Sequence, residues 1–213
     1  MGRRNIPEVN AGSMADIAFL LLIFFLVTTT FQEDSGINRK LPPMPPPGVT
    51  PPIIKQKNLF TVLVNKNNDL LVEEEVMELK DLRQAAIDFL DNGGGTNEKG
   101  EPCNYCKGKR SEDSSDHPNK AIISVRNDRE TEYKTFISVQ NELVGAYNFL
   151  RNREAYKLYG KKYGNKNEKA YTFMDSVAAH PQTDTRLKEE LKEKLEVVKN
   201  MYPLKISEAE TNN

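Results

Sequence analysis

The length, composition and charge of the chain exclude several classes of protein. Its 213 residues suit one ordinary domain with attachments, and its 30 Lys and Arg against 31 Asp and Glu leave a net charge of -1. This balance does not fit a protein that binds nucleic acid along a basic face. The chain has only two cysteines, which are too few for a disulfide framework.

An uninterrupted apolar run over residues 17–27 is the strongest hydrophobic feature of the sequence. We predict a transmembrane helix over residues 14–31, about 27 Å long and close to the roughly 30 Å hydrocarbon core of a bilayer. Arg3 and Arg4 precede it, so the segment 1–13 is expected in the cytoplasm and the rest of the chain in the periplasm. A cleaved signal peptide is the competing interpretation, although no small-x-small cleavage site follows the run.

Asp16 lies at the start of this apolar run, and two interpretations of it stay open. A carboxylate in hydrocarbon is costly and usually functional. However, Ser13-x-x-Asp16 also matches a capping box, in which the acidic side chain only satisfies backbone amides at a helix N-terminus. On a helical wheel Thr30 shares the face of Asp16, so the two would be the polar ends of one stripe. Such a stripe suits a face turned toward partner helices, and it would equally arise by chance in a helix this apolar.

A proline-rich segment follows the apolar run. Residues 41–52 contain seven prolines, a composition that favours the extended polyproline II conformation and a semi-rigid spacer. We therefore assign residues 32–58 to a periplasmic linker that holds a folded domain away from the membrane. A passive linker is the alternative.

The remaining sequence predicts a small α+β domain over residues 59–207, followed by a tail at 208–213. Hydrophobic patterning gives the order β-β-α-β-α-β. The predicted strands cover 59–64, 70–72, 121–125 and 203–207, and the predicted helices cover 79–90 and 136–150.

Two insertions interrupt this pattern. Residues 92–119 are rich in Gly, Asn, Glu, Lys and Ser, and we expect a loop with little to bury. Residues 151–202 carry a helical insertion near the C-terminus. Its narrow apolar stripe is formed by Leu187, Leu191, Leu195 and Val198. Such a helix packs on its own domain or binds a partner.

Cys103 and Cys106 form a C-x-x-C within the first insertion. We expect a local disulfide in an oxidising periplasm. A thiol-disulfide site would need a strand-to-helix junction, and zinc would need two further ligands, of which only His117 is near apart from carboxylates. The sequence shows no nucleophile-base constellation, P-loop or dinucleotide fingerprint, so we expect no enzyme, no metal and no cofactor.

The run ADIAFLLLIFFLVT at residues 15–28, with the lead-in IPEVN at residues 6–10, resembles the membrane helix of the ExbD/TolR family. Members of that family carry one Asp near the cytoplasmic end of this helix, and Asp16 occupies that position. The resemblance implies that Asp16 carries protons inside a pore formed by an ExbB-like multi-helix subunit. It also implies a periplasmic domain that dimerises and contacts a TonB-like energy transducer.

The function implied by this resemblance is a proton-motive-force transducing subunit of an inner-membrane motor that energises TonB-dependent outer-membrane transport. A TolR-like role in envelope maintenance is an alternative. A plain signal-anchored periplasmic binding protein is another, and it would need Asp16 only as a helix cap.

Overall fold

The computed structural model describes residues 11–28, 54–163 and 169–209. The chain divides into two compact units, residues 1–51 and residues 52–213. The first unit contains helix α1 (Ala11–Thr28). Across the described ranges, no helix reaches the length and apolar character needed to span a bilayer.

Several predicted features lie outside the described residues. They include the N-terminal segment 1–10, Thr30, the proline-rich segment 41–52 and most of the tail. The predicted membrane span 14–31 and the linker therefore stay predictions.

The second unit is a mixed α+β fold built on one five-stranded sheet. Its strands are β1 (Leu59–Val64), β2 (Leu70–Val72), β3 (Glu75–Met77), β4 (Ile122–Asn127) and β5 (Ile206–Ala209). The order across the sheet is β3-β2-β1-β4-β5. Strand β4 runs parallel to both β1 and β5, so each of these pairs needs a crossover connection, which helices supply.

Strand β1 follows the alternation expected of a strand that faces a core on one side. Phe60, Val62 and Val64 are buried, whereas the residues between them are half-buried. The turn into β2 is closed by Asn65, whose side-chain oxygen accepts hydrogen bonds from the backbone N–H groups of Asn67 and Asp69. This use of a short amide side chain is typical of turns.

Strand β3 is absent from the predicted order β-β-α-β-α-β, which was wrong at this point. The hairpin from β2 to β3 turns at Glu73 and Glu74, with φ values of 50° and 71°. Two-residue hairpins with positive φ at both positions normally carry Asn-Gly or Gly. Because two glutamates occupy the turn, the sequence contained no hairpin signal.

The described part of the second unit also contains a short 3-10 helix, Gln56–Asn58, and four α-helices: α2 (Leu79–Leu90), α3 (Tyr133–Tyr163), α4 (Ala170–Ala179) and α5 (Thr185–Met201). The described residues of 151–202 are mostly helical and belong to α3, α4 and α5, and α3 continues well past the expected end at residue 150. Asp184 caps α5 by accepting hydrogen bonds from two backbone N–H groups. The last strand begins at residue 206, three residues later than expected.

The buried apolar side chains form two separate clusters. The larger one joins the sheet to α2 and the first half of α3, and includes Val62, Leu82, Ile123 and Leu143. The smaller one joins the end of α3 to α4 and α5. Its members are Ala155, Tyr163, Ala170, Tyr171, Met174, Ala178, Leu191, Leu195 and Val198.

The prediction that residues 92–119 have little to bury was wrong. Seven of their side chains are buried: Asn92, Cys103, Cys106, Ser115, Asp116, His117 and Pro118. Asn92 makes hydrogen bonds to the backbone of Ser111 and Ser115. The segment is held mainly by polar contacts, and hydrophobic patterning does not register such contacts.

Candidate functional site

Asp16 is the sixth residue of α1, and its side chain is exposed. Nine large apolar side chains of the same helix are also exposed, with Leu22 at 63%. They are Met14, Ile17, Phe19, Leu20, Leu21, Leu22, Ile23, Phe24 and Phe25. Asp16 therefore lies on a helix surface that is otherwise mostly apolar.

The capping-box interpretation of Asp16 does not fit the helix as it is built. Ser13 would have to precede the first turn, but α1 already begins at Ala11. Asp16 lies in the second turn, beyond the first backbone N–H groups that a cap satisfies. The carboxylate is therefore not explained as a helix cap.

A single carboxylate among apolar side chains has two states with different requirements. When it is protonated, it can face apolar surroundings at moderate cost. When it is ionised, it needs water or a polar partner, because an unpaired charge in a medium of low dielectric is strongly disfavoured. Such a group can couple proton binding to a change in what the helix faces.

In the second unit, a partly buried ionic contact forms at Arg153, which lies on α3 between Leu150 of the larger apolar cluster and Ala155 of the smaller one. Arg153 of α3 donates two hydrogen bonds to the carboxylate of Asp91, with N–O distances of 2.6 and 2.8 Å. A third bond of 2.9 Å reaches Glu154, which is almost fully buried. Burial lowers the pKa of Arg153, but the hydrogen bond with Asp91 outweighs it, so the net pKa is raised.

Tyr202 completes this contact from the far end of α5. Its hydroxyl donates to Asp91 at 2.6 Å and accepts from Arg153 at 2.9 Å. Burial, and then the bond to Asp91, raise the pKa of Tyr202. Its backbone carbonyl accepts two further bonds from Arg151 at 2.8 and 3.0 Å. The chain leaving α5 is thus held at a defined place before β5.

The Cys103–Cys106 pair lies at the same junction. The two cysteines form a disulfide with a Cα–Cα distance of 5.6 Å. Between them, Tyr105 donates a hydrogen bond of 2.8 Å to the carbonyl of Met201 and packs edge-on against Tyr202. Burial raises the pKa of Tyr105 to about 12. The disulfide loop is therefore part of the joint with α5.

Another insertion residue holds the beginning of the domain. The carboxylate of Asp116 is buried and lies 2.6 Å from the ammonium of Lys57. It also accepts a bond from the amide of Asn58 at 3.1 Å. Burial raises the pKa of Asp116, but the bonds from Lys57 and Asn58 outweigh it and the net pKa is lowered. The segment that leads into β1 is thus tied to the insertion.

The predicted site residues belong to different units of the chain. Asp16 belongs to the first unit, and the cysteines belong to the second, where they serve a structural contact. Within the described residues, no group of three or more His, Cys, Asp or Glu side chains could hold a metal ion. The sequence interpretation missed Arg153 and Asp91, because single charged residues carry no signal in a chain with 29% charged residues.

Comparison with known proteins identifies the family of the chain. No curated protein matches the chain. The model of the family described as biopolymer transport protein ExbD/TolR matches residues 2–151. This match includes α1 with Asp16 and the domain up to the middle of α3, but not α4, α5 or β5. Because it covers more than half of the chain, the protein belongs to the ExbD/TolR family of biopolymer transport proteins.

Proposed function

We propose that the chain is the proton-motive-force transducing subunit of an ExbB–ExbD-type inner-membrane motor that energises TonB-dependent outer-membrane transport. In this proposal α1 crosses the inner membrane once, with its N-terminus in the cytoplasm, and the second unit is periplasmic. Arg3 and Arg4 before the helix support this orientation.

One observation carries the proposal. Asp16 is the single ionisable side chain of α1, and it lies on a helix whose large apolar side chains are exposed in the described chain. Lipid would cover most of such a surface, and helices of an ExbB-like subunit would cover the face that bears the carboxylate. An ionisable residue inside a membrane is by default a functional residue.

The mechanism follows from the two states of the carboxyl group. Proton binding from the periplasmic side would neutralise Asp16 and let its face of α1 meet apolar surroundings. Release to the cytoplasmic side would restore the charge, which must then face a polar partner on the surrounding helices. This alternation would move α1 relative to the surrounding helices of the ExbB-like subunit. The linked periplasmic domain would pass the movement to a TonB-like partner.

The test is Asp16→Asn in the native host, scored by growth on a nutrient that requires energised outer-membrane uptake. Asn has nearly the same shape but cannot release a proton, so we expect growth to fall to the level of the deletion strain. Ser13→Ala is the matched control, because it removes a polar group from the same end of α1 without touching the carboxylate. We expect Ser13→Ala to grow normally.

Detergent resistance is measured in parallel, with expression and membrane retention checked by alkaline carbonate extraction. A defect in detergent resistance alone would replace this proposal with the TolR-like role. Normal uptake and normal detergent resistance in an inserted Asp16→Asn protein would leave an anchored binding protein. Release of the unmodified chain by carbonate would contradict the membrane assignment itself.

A further inference from the structure

Strand β3 forms one edge of the sheet, because within the described chain it pairs with β2 alone. Its two-residue hairpin determines which backbone groups stay unpaired. The residues that flank such a turn, here Val72 and Glu75, exchange both hydrogen bonds of their pair. The next residue, Val76, therefore directs its backbone N–H and C=O away from β2, where another strand can bind them.

The side chains of β3 alternate between the two faces of the sheet. Met77 packs against the larger apolar cluster, so Glu75 shares the face that bears the helices. Val76 lies on the opposite face and is 81% exposed, the highest value among the large apolar side chains of the described second unit. A strand added at this edge would cover the side chain of Val76.

A cavity of about 640 Å³ opens beside this edge. Its apolar lining comes from both outer strands and two helices: Leu70, Val76, Met77, Leu79 and Val139. A side chain placed opposite Met77 on an added strand would point to the helix face and enter this cavity. Free backbone groups and a pocket for an alternate side chain are the two parts of recognition by strand addition.

The edge is also strongly acidic. Residues 73–81 contain five carboxylates and one lysine, which leaves a net charge of −4. The lysine, Lys80, pairs with Glu78 at 2.5 Å. Glu74 and Glu75 are exposed, and neither has an ion pair in the described part of the chain.

Neighbouring groups do not neutralise this charge. Glu73 accepts a hydrogen bond of 2.7 Å from the backbone N–H of Thr61, which is an uncharged donor. The next cation of α2, Arg83, is already paired with Glu142 at 2.8 Å. Two adjoining segments contribute one charge of each sign: Lys66 and Asp69 on the β1–β2 turn, and Glu132 and Lys134 at the start of α3.

This charge decides between the possible occupants of the edge. If β3 paired with β3 of a second copy, two sets of glutamates would face one another, and like charges on paired strands are destabilising. Charged residues protect many edge strands from such self-pairing. The same carboxylates attract a strand of the opposite sign, because complementary charges select the partner and its register.

We propose that the free edge of β3 binds an extended, basic segment of a partner protein as an additional strand of the sheet. The backbone of that segment bonds to Val76, an apolar side chain enters the cavity beside Met77, and Lys or Arg side chains face Glu74 and Glu75. The site lies in the second unit alone and does not involve Asp16, so it can fail separately from the proposed function.

The probe is the fluorescein-labelled peptide Lys-Lys-Val-Leu-Lys-Lys, titrated by fluorescence anisotropy with the full chain in phosphatidylcholine nanodiscs. Empty nanodiscs give the background. We expect saturable binding that weakens as the salt concentration rises. The peptide Lys-Lys-Pro-Leu-Lys-Lys has the same charge but lacks one backbone N–H, so it should bind about tenfold less tightly.

Charge reversal at the edge tests the ionic part of the site. Glu74→Lys combined with Glu75→Lys should weaken binding of the valine peptide about tenfold or more. Glu189→Lys combined with Glu193→Lys is the matched control, because it reverses two exposed carboxylates of α5. The control should leave binding unchanged.

Val76→Pro tests the backbone part of the site. It removes the N–H that points away from the sheet, and proline is tolerated at such positions of edge strands. Binding should be lost in Val76→Pro and retained in Val76→Thr, which keeps the N–H. Circular dichroism checks that both variants are folded.

Three results would overturn the proposal. The first is no saturable binding of the valine peptide, or equal binding of its proline analogue. The second is binding that survives Val76→Pro, or that falls as much in the α5 control as in the β3 variant, because the attraction would then be general. The third is a change of oligomeric state in Val76→Pro, measured by sedimentation, because a second copy would then occupy the edge.

Discussion

Two regions of the second unit bury their apolar side chains in different ways. One is the part matched by the family model, and the other is the end of α3 with α4 and α5. The first part buries the sheet under α2 and the first half of α3, with long-range pairing between strands. The added part buries short stretches of three helices against one another and uses no strand. Helix α3 runs through both without a break. The comparison shows that an extended helix can carry a second core.

The joint between the two parts is polar. Arg153, Asp91 and Tyr202 share hydrogen bonds there, and Tyr105 of the disulfide loop closes it from the side. Apolar contacts tolerate sliding, whereas a bidentate ionic contact has one geometry. We infer that this joint sets the orientation of α5 and the entry of the chain into β5.

The most severe way to break this joint is Arg153→Met. The substitution keeps much of the side-chain volume but leaves the buried carboxylate of Asp91 with no cation and only the hydroxyl of Tyr202 as a donor. Glu154 loses its closer cation and keeps Lys157 at 3.8 Å. Breaking a buried pair from one side typically costs about 3–5 kcal/mol. We expect a loss of that size in the free energy of unfolding, measured with urea on the full chain in detergent by circular dichroism.

The control for this change is Arg129→Met, at an exposed position outside the joint. It should alter the free energy of unfolding by less than about 0.5 kcal/mol. A loss of under about 1 kcal/mol in Arg153→Met would mean that the two carboxylates find water or other donors, and that the joint is not ionic in its energetics.

Leu191→Ala and Leu143→Ala test whether the two cores unfold together. Both side chains are fully buried, Leu191 in the added core and Leu143 in the sheet core. Each substitution should cost about 2–5 kcal/mol through lost transfer energy and a cavity. If α3 and the joint couple the cores, both variants shift one common transition in urea.

An independent added core would behave differently. Leu191→Ala would then produce a separate early transition in the helical signal, with proteolysis confined to α4 and α5, while Leu143→Ala would not. The continuous α3 makes the single transition our expectation. Two transitions in the unmodified chain would contradict it.

The sequence predicted the regular parts of both regions better than the joint. The apolar strand β1 and the apolar stripe of α5 each carry a local signal with a physical cause. The β2–β3 hairpin was missed, because Glu73 and Glu74 lack the usual turn chemistry. The pairing of Arg153 with Asp91 joins residues 62 positions apart, so the local sequence around either residue does not predict it.

The free energy of unfolding should also depend on pH through His117, which lies in the 92–119 insertion. Burial lowers the pKa of His117 below its usual value near 6.5, and its ring packs against Tyr105 at the joint. The folded state therefore binds this proton less readily than the unfolded state. The corresponding stability is fully present above about pH 6.5 and is lost as the pH falls toward the lowered pKa, by at most about 1.4 kcal/mol per pH unit.

His117→Gln should flatten this part of the stability profile, measured by urea unfolding at intervals from pH 7.5 to pH 5. The chain has one other histidine, His180, which is exposed, so His180→Gln is a matched control that should leave the slope unchanged. An unchanged slope in His117→Gln would assign the acid sensitivity to carboxylates such as Asp116 instead.

The smallest effect is expected far from the joint, at the β2–β3 turn. Glu74 adopts a left-handed backbone conformation, which costs a residue with a Cβ roughly 1–2 kcal/mol. Glycine removes that cost but adds about 0.5–1 kcal/mol of backbone entropy in the unfolded chain, so Glu74→Gly should stabilise the fold by about 0.5–1 kcal/mol. Glu74→Ala removes the same carboxylate but keeps the Cβ, and should not stabilise. Stability is read from the urea midpoint. If both variants are stabilised equally, repulsion among the glutamates, and not backbone strain, destabilises this hairpin.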